Sequence, residues 1–256
     1  MTEFDSSFDP SCLVDANAML GPLPTEDVGQ GTAAETVKDM DRVGIGSAVV
    51  CHSHAWRHDP PSGNRLLVRE IADEPRLLPC WVVLPDTCGE LGGIDRFLAD
   101  AERAGVAAFR AYPHDHGYAL AGPDVAPLMA AMAERRRPLL VNADQVPLDE
   151  VEALAGTHPE LPIVLCATGY RLLRRLAGVL ARTGNVHVDL SYLGSHLGLE
   201  WLVERFGPSR LLFGTGAPAR DRADAITRLL WSELDDTATR RIGGTNLLTL
   251  LGKEPA

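Results

Sequence analysis

Eight times along this chain a short, nearly continuous apolar run is followed by an amphipathic stretch, and that alternation limits the folds open to it. The runs are Cys12–Val14, Ser47–Cys51, Leu78–Leu84, Ala107–Ala111, Pro138–Asn142, Ile163–Cys166, Val186–Leu190 and Arg210–Phe213. Runs that are apolar at consecutive positions suit parallel strands buried on both faces. Between them the spacing turns helical. Thr32 is placed to cap Ala33–Val43, where Val37, Met40 and Val43 share one face, and Gly44 follows as a stop. Leu66, Leu67 and Ile71 form the next apolar face, then Ile94, Leu98 and Ala101, closed by Gly105. Later helices are predicted at Val125–Arg135, Leu148–Ala155, Arg171–Thr183, Leu197–Phe206 and Ala223–Leu230, with a terminal segment through Leu247, Leu248 and Leu251.

Strand–helix units joined by right-handed crossovers close naturally into an α/β (β/α)8 TIM barrel. The 256 residues suit one such unit, and no Pro-, Gly- or Ser-rich linker divides them, so 1–256 reads as a single domain. A doubly wound open sheet is the other architecture with this alternation, but no GxGxxG follows the first run.

The formal net charge of −11 argues against nucleic acid or an anionic membrane as partner, since both need basic surface. No apolar run approaches the roughly 20 residues of a membrane helix, and the acidic start Met1–Asp5 does not read as a signal peptide. Five cysteines without a CxxC pair fit reduced thiols in a cytoplasm. A small-molecule substrate is the expected partner, and a homodimer is a further expectation.

In such barrels chemistry sits in the loops after the C-terminal strand ends. The longest of these loops are predicted at His52–Ser62 and Tyr112–Asp124, and they carry most of the histidines. Several segments carry a family likeness: Val14-Asp15-Ala16-Asn17-Ala18-Met19, Met40-Asp41-Arg42-Val43-Gly44-Ile45, Asn185-Val186-His187-Val188-Asp189, Arg210-Leu211-Leu212-Phe213-Gly214 and Asn246-Leu247-Leu248. With these in this order over nearly its whole length, the chain resembles the amidohydrolase-related proteins of the metal-dependent hydrolase superfamily, the branch that includes decarboxylases and lactone hydrolases. The resemblance implies a His-x-His at strand one, a His after each of strands five and six, and an Asp after strand eight. Here those positions fall on Asn17 and Met19, Asn142, Ala167 and Gly216. Amide oxygens and a thioether are poor ligands for a hard or borderline divalent ion, and Ala and Gly supply none. The implied metal centre is therefore expected to be lost and no cofactor is expected.

Two His-x-His pairs, His52-Ser53-His54 and His114-Asp115-His116, stand at the predicted ends of strands two and four. On an extended chain, residues two apart point the same way, roughly 6.6 Å along the strand. These four imidazoles are the expected acid/base pool, and a relocated Zn site built from them is the alternative. Asp15 is a candidate general base, or else an acceptor for backbone N–H groups or a partner of Arg110. Arg110, at the end of strand four, is a candidate clamp for a substrate carboxylate or one half of an ion pair with Asp15. Asn17 and Asn142 are candidate polarising donors, and Trp56 and Tyr118 candidate lid residues lining the substrate. Cys51 and Cys166 read as buried structural thiols. The expected activity is a metal-independent hydrolase, or a lyase or decarboxylase, on a small polar or carboxylated molecule. A non-catalytic binder and a hydrolase with a relocated metal are the competing readings.

Overall fold

A computed structural model describes residues 12–24 and 31–253. The acidic start Met1–Asp5 lies outside the described residues. Eight parallel strands follow one another around a ring in sequence order: β1 Leu13–Leu20, β2 Ile45–His52, β3 Leu77–Val83, β4 Ala108–Ala111, β5 Leu139–Asn142, β6 Ile163–Cys166, β7 Val186–Asp189 and β8 Leu211–Leu212. Between β8 and β1 the ring is joined just beyond the short last strand. Ala16 N–H donates to Phe213 C=O at 2.9 Å, Gly216 N–H to Asn17 C=O at 2.8 Å and Met19 N–H to Ala217 C=O at 2.9 Å.

Helices alternate with the strands: α1 Ala33–Val43, α2 Ser53–Arg57, α3 Pro60–Glu70, α4 Ile94–Arg103, α5 Ala126–Glu134, α6 Leu148–Thr157, α7 Leu173–Arg182, α8 Gly198–Phe206 and α9 Arg222–Leu230. The expected cap on α1 forms as a capping box. Thr32 Oγ1 accepts from Glu35 N–H while Glu35 accepts from Thr32 N–H, and Gly44 ends the helix at φ +79°.

Strand alternation divides the buried side chains into two layers. Leu13, Leu67, Phe97, Phe109, Leu128 and Leu211 pack between the sheet and the helices. Val14, Val49, Cys51, Val82, Leu140, Val164 and Leu212 fill the ring itself, so its interior is packed core. The tail, α10 Asp236–Arg240, a π-turn Arg241–Thr245 and α11 Asn246–Leu250, sends Leu247 and Leu251 into that inner layer. Asn246 Nδ2 donates to Pro208 and Leu211 C=O, which fixes this cover on the N-terminal end of the ring. Trp81 is buried in the layer between sheet and helices.

Three expectations change. β1 runs on to Leu20 because Ala16, Ala18 and Leu20 keep the apolar pattern and both neighbours supply hydrogen bonds. Asn17 and Met19 therefore belong to the strand itself. Second, no open loop spans His52–Ser62: His52 caps α2 with its own side chain, and α3 starts at Pro60 behind the Asp59 cap. Third, Asp15 does not pair with Arg110. A register shift between Asp15 and Ala18 accompanies a turn of the Asp15 carboxylate toward the β8 side of the ring. There it accepts from Thr215 N–H, Thr215 Oγ1 and Asn17 N–H.

Candidate active site

At the C-terminal strand ends a chain of polar side chains crosses the ring. Arg110 on β4 points inward and is 2% exposed. Its Nη1 donates to Asn17 Oδ1 at 2.8 Å, and its Nη2 donates to Asn142 Oδ1. Asn17 Nδ2 in turn donates to Asp189 Oδ2 at 2.8 Å and approaches Ser191 Oγ at 3.4 Å. Asp189 Oδ1 accepts from Ala167 N–H at 3.0 Å. Burial pushes the Asp189 carboxyl above its ordinary range, while Ser191, Asn17, Ala167 and the Arg110 charge pull it back. The order of side chains is Asp189, Asn17, Arg110, Asn142.

The residues at the positions where the resemblance puts metal ligands do not fit a divalent ion. The Asn17 and Asn142 oxygens both point at a guanidinium. Met19 packs against the inner apolar layer. Ala167 offers only a backbone N–H, held by Asp189. At Gly216 a Cβ would already lie 3.3 Å from Ser191 Cβ and 3.5 Å from the Tyr192 ring. Among the described residues, no group of three or more His, Cys, Asp or Glu side chains converges as a metal would require.

The four expected histidines are not brought together. Although Ser53 is already helical, the His52 and His54 rings still lie 6.5 Å apart at their centroids, edge to face, while the β4 pair lies elsewhere. His52 is buried, its Nδ1 accepting from His54 N–H at 3.0 Å and its Nε2 meeting Glu70 Oε2 at 3.2 Å. Burial lowers its pKa, against the opposing pull of Glu70. His54 pairs with Ser62 Oγ at 3.1 Å. Both line an off-axis cavity of about 770 Å3 between the β1 and β2 loops, with Glu70 and Leu66. His114 is 75% exposed beside Asp115.

His116 is placed differently. Its Nε2 lies 2.8 Å from Trp56 C=O, an acceptor only, so Nε2 carries the proton and Nδ1 is the basic nitrogen. That Nδ1 is buried without a partner. His116, Asp115, Trp56, Arg57, Glu90 and Tyr118 line a second cavity of about 630 Å3, over the β2, β3 and β4 ends. Asp115 is its polar hub, accepting from Trp56 Nε1 at 2.7 Å and lying 4.0 Å from Arg57. Burial raises its pKa, but His114, Trp56, Arg57 and Gln145 together hold it below the usual range.

A column of alternating charge and ring links this cavity to the ring interior. Arg57 lies 3.5 Å over Trp56, Trp56 stacks on Tyr112 at 5.0 Å, and the Arg110 guanidinium lies 5.5 Å from the Tyr112 ring. Tyr112 Oη meets Cys51 Sγ at 3.4 Å, across the ring. Cys51 and Cys166 are buried free thiols, and burial raises both pKa values, as structural thiols require. Of the expected site residues, the structure thus joins Arg110, Asn17 and Asn142 at the centre, and Trp56, Tyr118 and His116 at the rim. The sequence reading missed Asp189 as the anion facing Asn17, Glu70 as the partner of His52, and Asp115 and Arg57 in the rim cavity. An ionisable residue at or just past a strand end was the one signal shared by Asp189 and Asp115.

No helix among the described residues is long and apolar enough to cross a membrane. The amidohydrolase family model matches residues 27–253. No curated protein matches the chain. Among solved structures, 2,6-dihydroxybenzoate decarboxylase complexed with 2,6-dihydroxybenzoate is similar at TM-score 0.76 and 15% identity, covering 94% of this chain and 98% of that one. An uncharacterized TIM-barrel protein from Bordetella bronchiseptica gives TM-score 0.74 and 15% identity, with 94% and 99% covered. 5-Carboxyvanillate decarboxylase from Novosphingobium aromaticivorans, with bound manganese, gives TM-score 0.74 and 14% identity, with 94% and 97% covered.

Proposed function

From the premise that the chain belongs to the amidohydrolase family, we propose that it is a metal-independent enzyme, of the hydrolase or decarboxylase-type lyase class, acting on a small carboxylated or polar molecule. The observation that carries this reading is the rim cavity of about 630 Å3, on the barrel face where such chemistry occurs. It gathers two imidazoles, His58 and the fixed-tautomer His116, with three carboxylates (Glu90, Asp115 and Asp124), the Arg57 cation and two aromatic rings. His116 takes or returns a proton once its ring turns the buried Nδ1 into the cavity, Arg57 attracts a substrate carboxylate, and Trp56 and Tyr118 cover an apolar or aromatic body. Decarboxylases of aromatic acids among the similar structures favour a carboxylated ring as substrate.

The test is carbon dioxide release, or hydrolysis of a lactone panel, by chelator-treated protein supplied with 2,6-dihydroxybenzoate and related hydroxybenzoates. Turnover that survives chelation and falls about 100-fold in His116→Gln supports the reading. Turnover that appears only on adding manganese sinks it.

A second reading, a non-catalytic binder, is favoured by one observation. Among the described residues, no imidazole hydrogen-bonds the Asp189–Asn17–Arg110–Asn142 chain, so no histidine is joined to the strand-end centre. Saturable binding of a hydroxybenzoate without turnover would select it.

A further inference from the structure

The polar chain across the ring does more than leave the implied metal positions without ligands. Two of those positions, Asn17 and Asn142, lie on opposite sides of one guanidinium and both turn their amide oxygens toward it. The other side of Asn17 faces the buried carboxylate of Asp189, so the amide passes polarity from anion to cation. Arg110 is almost wholly buried, and its Nε has no partner at all. Leaving a charged donor unmatched in the core is costly, and chains keep such an arrangement only where the surroundings hold the charge in place. Asp15 and Asp189 are both fully buried at the same strand ends. They make this end of the ring a region where a cation is favourable.

We propose that the Arg110 guanidinium is a tethered, permanent cation seated in the place of a divalent ion, so that the site excludes metal rather than merely failing to bind it. This inference rests on the metal-independent reading above, but it concerns the filled centre of the ring and not the rim cavity. Its chemistry follows from the group. A guanidinium carries a single delocalised charge, offers donors in one plane, and has no open coordination position. Asn17 and Asn142 suit it because a neutral amide oxygen accepts from it without adding charge. Imidazoles or carboxylates there would suit an ion instead. The surrounding space has closed to match: at Gly214 a Cβ would sit 2.7 Å from Asp189 Oδ2, and Ser191 and Tyr192 press on Gly216.

The experiment is chemical rescue on the full chain. Arg110→Ala removes the ethylguanidinium part of the side chain and leaves a hole of that shape. Its melting temperature is expected to fall by roughly 5–15 °C. Low-millimolar ethylguanidinium should restore a large part of that fall, whereas ethylammonium and manganese should not, because neither presents a planar fork. Calorimetric titration of the parent protein with manganese or zinc should show no saturable site up to millimolar concentration. If Arg110→Ala does not fold, Arg110→Lys keeps the charge without the fork and should melt between the parent and Arg110→Met. One equivalent of metal bound by the parent overturns the inference. So does rescue by ethylammonium equal to that by ethylguanidinium, or an Arg110→Met variant as stable as the parent. None of these readouts uses turnover, so the rim-cavity reading stands or falls separately on His116.

Discussion

Asn17 and Asp189 lie 172 residues apart in sequence and meet at 2.8 Å, amide nitrogen to carboxylate oxygen, where the first and seventh strands reach the mouth of the ring. The contact fixes which way the Asn17 amide is turned. With its nitrogen toward Asp189, its oxygen faces Arg110. Each member of the chain thus sets the orientation of the next.

Replacing Asn17 with Leu removes both faces of that amide at once. Asp189 loses one side-chain donor and Arg110 one acceptor, in surroundings where each orphaned polar group costs about 1–3 kcal/mol. A loss of roughly 2–5 kcal/mol is expected in urea unfolding, with Asn17→Asp, which keeps an acceptor for Arg110 but sets an anion against Asp189, no better tolerated. An Asn17→Leu variant within 0.5 kcal/mol of the parent would contradict the relay.

Half-buried His187 on β7 has its pKa driven down to about 4, first by desolvation of its ring and then by the Arg210 charge, against an ordinary value of 6.5. The folded state therefore prefers neutral imidazole. Between pH 6.5 and pH 4 the unfolded chain binds more protons, so this contribution is complete above pH 6.5 and is lost as pH falls toward 4. The full span is on the order of 3 kcal/mol. Unfolding free energies of the parent and His187→Gln measured across that window should diverge most at pH 7 if Gln packs poorly, and converge toward pH 4. A parallel pair of curves would remove His187 as the cause.

Asn64, within α3, clamps that helix to β3 by donating to Val82 C=O and accepting from Val82 N–H, both at 2.8 Å. Asn64→Ala leaves both backbone groups without partners and opens a small void. The expected loss is about 2–4 kcal/mol. Because α3 also carries Glu70, the off-axis cavity should loosen with it, visible as faster amide exchange at His52 and His54.

The two histidines of the β4 turn should separate cleanly. His114→Gln touches an exposed side chain paired only with its neighbour and should change any rate by less than threefold. His116→Gln should lower the rate about 100-fold while leaving KM within a few-fold, since Nδ1 is assigned to proton transfer. Equal effects of the two changes would reassign His116 to packing against Trp56.

Much of the architecture was written in local pattern. Consecutive apolar residues marked strands such as Ile163–Cys166, the Thr32 and Gly44 signals bounded the first helix, and alternation alone turned Cys51 inward and His52 outward. Arg110 stood out as a cation within an apolar strand, while its inward direction came from the structure. What could not be read was pairing over distance. Nothing near Asn17 announces Asp189, and nothing near Asp15 announces Thr215, 200 residues later. The His-x-His argument failed at His52 for a local reason: its ring accepts from His54 N–H, which starts a helix where an extended loop had been expected.

The first strand is held on one side by its immediate successor and on the other by residues 213–217, roughly 200 positions further along the chain. Until those emerge, the backbone donors of Ala16 and Met19 face an unfilled seam along an apolar strand, the geometry that invites pairing with a neighbouring chain. Truncation before Phe213 should therefore yield an aggregating product rather than a smaller soluble barrel, however complete the remaining seven units are.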